Sequence, residues 1–113
     1  MGDRIRVSFD DKGRYQDVFV HRSDNLYVFT SVVLGTAEVT RRPKRWRQLA
    51  VLAWEKNAEH QLVTFAFDKK DRLIGKIEHQ VDYLDPEELE LYVNTLALEC
   101  DRFEYVLSGE DRY

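Results

Sequence analysis

The sequence is poor in what builds most recognisable chemistry. It has one cysteine, two prolines and three histidines, and no apolar run approaching the roughly 20 residues that cross a membrane as a helix. Cys100, being alone, makes no internal disulfide, and it falls on an apolar helical stripe where a buried, inert thiol is expected. That reading, with no charged-then-apolar leader at Met1-Gly2-Asp3-Arg4, leads to the expectation of a soluble, cytoplasmic protein. Gly13, Gly35, Gly75 and Gly109 stand apart, so no glycine-rich loop is available to cradle phosphate. His21, His60 and His79 have neither the spacing nor the cysteine partners of a zinc site. No glycine-flanked serine marks a nucleophile turn. The expectation is a protein with no catalytic residues, no metal and no cofactor.

What is present is a globular composition. The 113 residues are 43% hydrophobic and 12% aromatic, enough for one domain spanning residues 1–113 and too apolar for a disordered chain. The net charge is −4, unevenly placed: residues 1 to 80 hold 15 Lys/Arg against 11 Asp/Glu, and residues 81 to 113 hold 2 against 10. An acidic total argues against nonspecific nucleic-acid binding, which depends on many basic groups releasing counterions.

Periodicity supplies the elements. Ile5, Val7 and Phe9 alternate with polar residues as in a half-buried strand, Asp10 to Gly13 reads as a turn, and a second strand runs from Arg14 to His21. After a turn at Arg22 to Asn25, Leu26 to Leu34 is apolar on both faces and reads as an interior strand. Gly35 to Thr40 reads as a connection. Pro43 opens a helix to about Asn57, with Trp46, Leu49, Ala50, Ala53 and Trp54 assigned to its core side. Gln61 to Phe67 is again apolar on both faces and is expected to be central, and a turn at Asp68 to Asp71 leads into a strand from Arg72 to Val81 with a wet face. The last helix declares both ends: Asp85 caps it, Pro86 fits its first turn, Glu87 and Glu88 suit its positive pole, and Gly109 is expected to close it. Its stripe of Leu89, Val93, Leu96, Cys100, Phe103 and Leu107 faces inward, with Glu88, Glu90, Asp101 and Glu104 outward. The expected fold is α+β: a five-stranded antiparallel sheet, element order β-β-β-α-β-β-α, both helices on one face.

The runs Leu49 to Ala58, Phe65-Ala66-Phe67-Asp68, Arg72 to Lys76, Leu84 to Leu89 and Ala97 to Glu104 resemble the bacterial type III secretion chaperone-like superfamily, nearest to its YbjN-type branch. The resemblance covers about residues 49–107 and includes no catalytic signature. It implies a chaperone-like or adaptor domain that binds protein and pairs as a homodimer.

Two residue sets are candidate contact surfaces. Tyr15 and Phe19, with His21, share one face of the second strand opposite Val18 and Val20, and two aromatics on a wet face suggest partner binding. Trp46 joins them as a residue at the rim of an interface, among Arg42, Arg45 and Arg47. Arg41, Arg42, Lys44, Arg45 and Arg47 crowd the start of a helix whose dipole is already positive there, which is unfavourable by about 0.3–1 kcal/mol per misplaced charge. Either the acidic last helix compensates, through Glu87, Glu88, Glu90 or Glu99 of the same or a second subunit, or an external anion does.

Overall fold

A computed structural model describes residues 3–9, 13–59, 62–80 and 83–110. The chain forms β1 (Asp3–Ser8), β2 (Tyr15–Ser23), β3 (Leu26–Leu34), α1 (Thr36–Thr40), α2 (Arg45–Asn57), β4 (Thr64–Phe67), β5 (Leu73–Gln80) and α3 (Pro86–Glu110). The strands make one five-stranded sheet in the order β1-β2-β3-β5-β4, antiparallel at every pairing. α2 and α3 cover the same face, and a single core lies beneath them, with Val18, Phe29, Leu49, Leu73, Ile77, Leu96 and Leu107 fully buried.

Turn chemistry sets the hairpins. Asp24 and Asp71 adopt positive φ at 56° and 58°, tolerable for Asp because its short side chain bonds locally. The Asp68 carboxylate accepts backbone bonds from Lys70 (3.0 Å) and Arg72 (2.9 Å) and an ion pair from Arg72 Nε at 2.7 Å. Burial pushes the Asp68 carboxyl up, but the hydrogen bonds from Arg72 and Lys70 outweigh it and hold the group below its ordinary range. Gly13 sits at φ 79°; the rest of the turn read at Asp10 to Lys12 lies outside the described residues, as do His60, Gln61, Val81 and Asp82.

Four expectations are corrected. The connection after Gly35 is a third helix, the single turn α1, because Val39 is drawn wholly into the core and its N–H bonds back to the Gly35 carbonyl at 3.1 Å. β4 is an edge strand: β5 is held on its other side by β3, and of the inward residues of β4 Phe65 is buried, stacking edge-on against Phe103 at 4.7 Å, while Phe67 is half-buried. The remaining two concern helix ends and faces. Gly109 does not close α3, which continues through Glu110; glycine accepts right-handed as readily as left-handed φ, and buried Leu107 anchors that turn. Asp101 is only 4% exposed. At 100° per residue it sits on the flank of the stripe beside Cys100, where Arg14 reaches it with Nη2 2.8 Å from Oδ2.

α3 approaches the sheet closely at Gly75. A Cβ there would collide with Cys100 Sγ and come within 3.2 Å of Leu96 Cδ1 and Val63 Cγ1. This one glycine lets α3 lie on β5. Asn57 fastens the other helix, its amide donating to the Phe65 carbonyl (2.9 Å) while its oxygen accepts from Phe65 N–H (2.8 Å).

Candidate functional site

With α2 and α3 on one side, no element among the described residues covers the opposite side of the sheet. Strand register orders its residues into rows. One row runs Arg4, Phe19, Thr30, Lys76, Thr64, and Val32, Ile74 and Ala66 are neighbours in the next. Val32, Ile74 and Ala66 are half-buried by one another, while Tyr15 is 47% and Phe19 41% exposed. This side therefore combines a modest apolar strip with two projecting aromatics, as the alternation of the second strand predicted.

Its charged margin is organised. Arg6 meets Asp17 on the adjacent strand through two bonds, Nε to Oδ1 at 2.9 Å and Nη2 to Oδ2 at 3.1 Å, and its guanidinium lies 3.7 Å from the Tyr15 ring centroid. The hydrogen bond from Arg6 holds the Asp17 carboxyl below its ordinary range, and the same bond raises Arg6. Beneath the strip, the Gln16 amide donates to Ser31 Oγ at 2.8 Å and Ser31 Oγ donates to the Asp17 carbonyl at 2.6 Å. These buried polar groups tie the β2–β3 pair at the point where the exposed aromatics project. The pair Gln16 and Ser31 has no signal in the sequence beyond a polar residue at an inward strand position.

The two tryptophans separate. Trp46 is 49% exposed and leans on Phe67 with ring centroids 5.4 Å apart, a rim position. Trp54, assigned to the core, is 71% exposed. The inward stripe of α2 is Arg45, Leu49 and Ala53, and the 100° step from Ala53 carries Trp54 to the solvent side.

The basic cluster also divides. Arg41, Arg42, Lys44 and Arg47 are exposed, but Arg45 is 4% exposed, taking the first inward position of α2 four residues before Leu49. The α2 N-terminus has no side-chain cap and no acidic residue in its first turn. A pocket of about 360 Å³ lined by Arg42, Pro43, Lys44, Arg45 and Gln48 lies there. Two of the carboxylates proposed to compensate it within the subunit are engaged elsewhere, Glu88 3.3 Å from His79 Nε2 and Glu99 3.5 Å from Arg102.

Other positions offer little reactive chemistry. His79 lies between Glu88 and the Tyr92 hydroxyl, 2.8 Å from Nδ1, and burial pushes the Tyr92 phenol up, away from the ionised form. Burial likewise pushes the Cys100 thiol up to about 12. A pocket of about 650 Å³ is lined by Lys56, Phe65, Glu99, Arg102, Phe103 and Val106 among others. Among the described residues no group of three His, Cys, Asp or Glu is placed to hold a metal ion, and no helix is long and apolar enough to cross a membrane.

Comparison with protein-family models, with curated proteins and with solved structures found no match to the chain.

Proposed function

We propose that the chain is a noncatalytic protein-binding domain, chaperone-like or adaptor-like, that works in the cytoplasm and pairs with a second copy of itself. The observation that carries this reading is the uncovered sheet face, where Tyr15 and Phe19 project beside a half-buried apolar strip. Apolar side chains on an open β surface gain by being covered, at about 25 cal/mol per Å² removed from water. The element order β-β-β-α-β-β-α, with α1 as an addition, fits the type III secretion chaperone-like superfamily apart from the helix with which its members usually open, and supports the same class of activity. Light scattering tests the pairing: twice the chain mass at micromolar concentration for the native protein, and one chain mass for Phe19→Asp with the far-UV spectrum of the native fold retained and a melting temperature lowered only by the lost pairing. A native mass of one chain that salt does not alter removes the homodimer.

A second reading, an anion or nucleic-acid binder through residues 41–47, is favoured by the uncapped, basic start of α2. It ranks lower because Arg45, though it lines the pocket there, is only 4% exposed. Melts with inorganic phosphate and with short oligonucleotides decide it, since a ligand of the native state raises the midpoint. No oligonucleotide shift is expected at physiological salt, and a clear one reverses the ranking.

A further inference from the structure

α3 carries a second apolar stripe, on the side that its core stripe leaves free. Leu91 is 57%, Leu98 39% and Tyr105 73% exposed, and they follow one another at steps of seven. Seven residues make two turns less about 20°, so the three side chains share one narrow strip over about 21 Å of helix. The core stripe through Leu89, Leu96 and Leu107 lies opposite, and with it α3 packs on β1, β2, β3 and β5. Single apolar residues on a surface are ordinary. A run of them at the heptad step is the pattern of a helix–helix seam.

The stripe reads alike from both ends. Leu98 is its centre, Leu91 and Tyr105 stand seven residues to either side, and the gaps hold Asn94 and Thr95 on one side and Arg102 on the other. A two-fold contact needs this symmetry, since each copy must present to the other what it receives. In an antiparallel arrangement about Leu98, Leu91 lies against Tyr105 of the second copy. Arg102 lies against the second copy's Asn94 and Thr95, which are uncharged and carry oxygens that accept from a guanidinium. The Arg102 side chain is 66% exposed, with Nη1 3.5 Å from Glu99 of its own helix, so it can turn to that neighbour. A parallel arrangement would set Arg102 against Arg102 and the Glu87, Glu88 and Glu90 ends side by side, where like charges repel. Antiparallel packing keeps those acidic ends about 30 Å apart, beyond the reach of screened charges. We propose that α3 joins two copies of this chain through an antiparallel contact of Leu91, Leu98 and Tyr105. The contact goes beyond the pairing proposed through the sheet, because Tyr15 and Phe19 lie on the other side of the sheet from α3. A pair held by its sheets still presents both α3 stripes, and further copies add end to end. A seam of three apolar side chains per copy is at the small end of protein interfaces, so it fills at higher concentration than the sheet pairing.

The test is sedimentation equilibrium of the full chain at micromolar concentration and at about 0.5 mM, where so small an interface fills. The native mass is expected to rise above two chains at the higher concentration, and Leu98→Glu, a change at an exposed position, to stay at two with the native far-UV spectrum. Phe19→Asp, one chain at micromolar concentration, is expected to reach two at the higher one, and Phe19→Asp with Leu98→Glu to remain at one. Thr95→Glu sets a carboxylate against Arg102 of the second copy, twice per contact. It is expected to tighten the association of Phe19→Asp by about threefold to tenfold, whereas in a parallel contact it would set carboxylate against carboxylate and weaken it. A native mass that does not grow with concentration, growth that Leu98→Glu leaves unchanged, or weakening by Thr95→Glu would each overturn the proposal. If the native chain is single at micromolar concentration and pairs at the higher one only with Leu98 intact, the sheet pairing falls and the α3 contact stands.

Discussion

At the scale of single residues, Gly75 and Cys100 form a tight contact between β5 and α3. Because a Cβ at Gly75 meets Cys100 Sγ, Gly75→Ala should lower stability by about 1–3 kcal/mol through overpacking, read as a shift in the urea midpoint. The companion variant Gly75→Ala with Cys100→Ala should recover part of that loss, since it removes the atom being struck. Cys100 is fully buried and its thiol is raised to about 12. It should therefore resist a thiol reagent in the native protein at neutral pH and react fully in denaturant. Rapid native modification would show that α3 opens. The sequence showed Cys100 on the buried stripe, but nothing in it linked Gly75 to that cysteine 25 positions later, because a close approach between two elements has no local signature.

At the scale of elements, α3 follows its sequence most closely. Leu96 is fully buried at the centre of the stripe, and Leu96→Ala should cost about 2–5 kcal/mol in chemical denaturation; a change under about 0.5 kcal/mol, the usual limit for surface substitutions, would mean the helix is not held by that face. The Asp85 carboxylate accepts the Glu88 N–H at 2.9 Å, and this bond holds its carboxyl below the ordinary range. A depressed carboxyl contributes stability that is fully present above its unfolded-state value, about 3.9, and is lost as pH falls through the folded value. Asp85→Asn, which keeps a cap without the ionisation, should therefore flatten the acid limb of the stability profile. α2 departs further from its sequence because Arg45 is inside. Reversing Lys44 and Arg47 to Glu should raise the melting temperature by relieving the dipole, by about 0.3–1 kcal/mol per charge, whereas Arg45→Glu should lower it. Equal effects at all three positions would contradict the burial of Arg45.

At the scale of the whole molecule, α2 and α3 sit on one side, and among the described residues no element covers the other side of the sheet. If two copies pair through that surface, dissociation should be governed by apolar area, so the native mass should hold between low and moderate salt, whereas pairing through the basic residues of α2 and the acidic ones of α3 should weaken as salt rises. Sedimentation at two ionic strengths separates these cases. The same layering explains why Tyr15 and Phe19 were legible as candidate contacts while Trp54 was misassigned. A strand has a strict two-residue period, so a residue's side follows from its neighbours. A helix turns by 100° per residue, and the width of its buried stripe depends on what it packs against.

Alternation and turn chemistry determined from the sequence alone that there are five strands, where the hairpins turn, and which face of β2 is wet. Cap residues and the three-and-four spacing determined α3 and its core stripe. These are local properties, carried by neighbours within a few positions. Tertiary structure decided the strand order, which moved β4 to the margin and placed β5 beside β3, because pairing depends on which surfaces the helices cover and not on the strand's own composition. It also decided the burial of Asp101 by Arg14, the inward turn of Arg45 and the contact of Gly75 with Cys100. In each of these the partner is remote or the choice of face belongs to a second element, so the interaction exists only once the layers have come together.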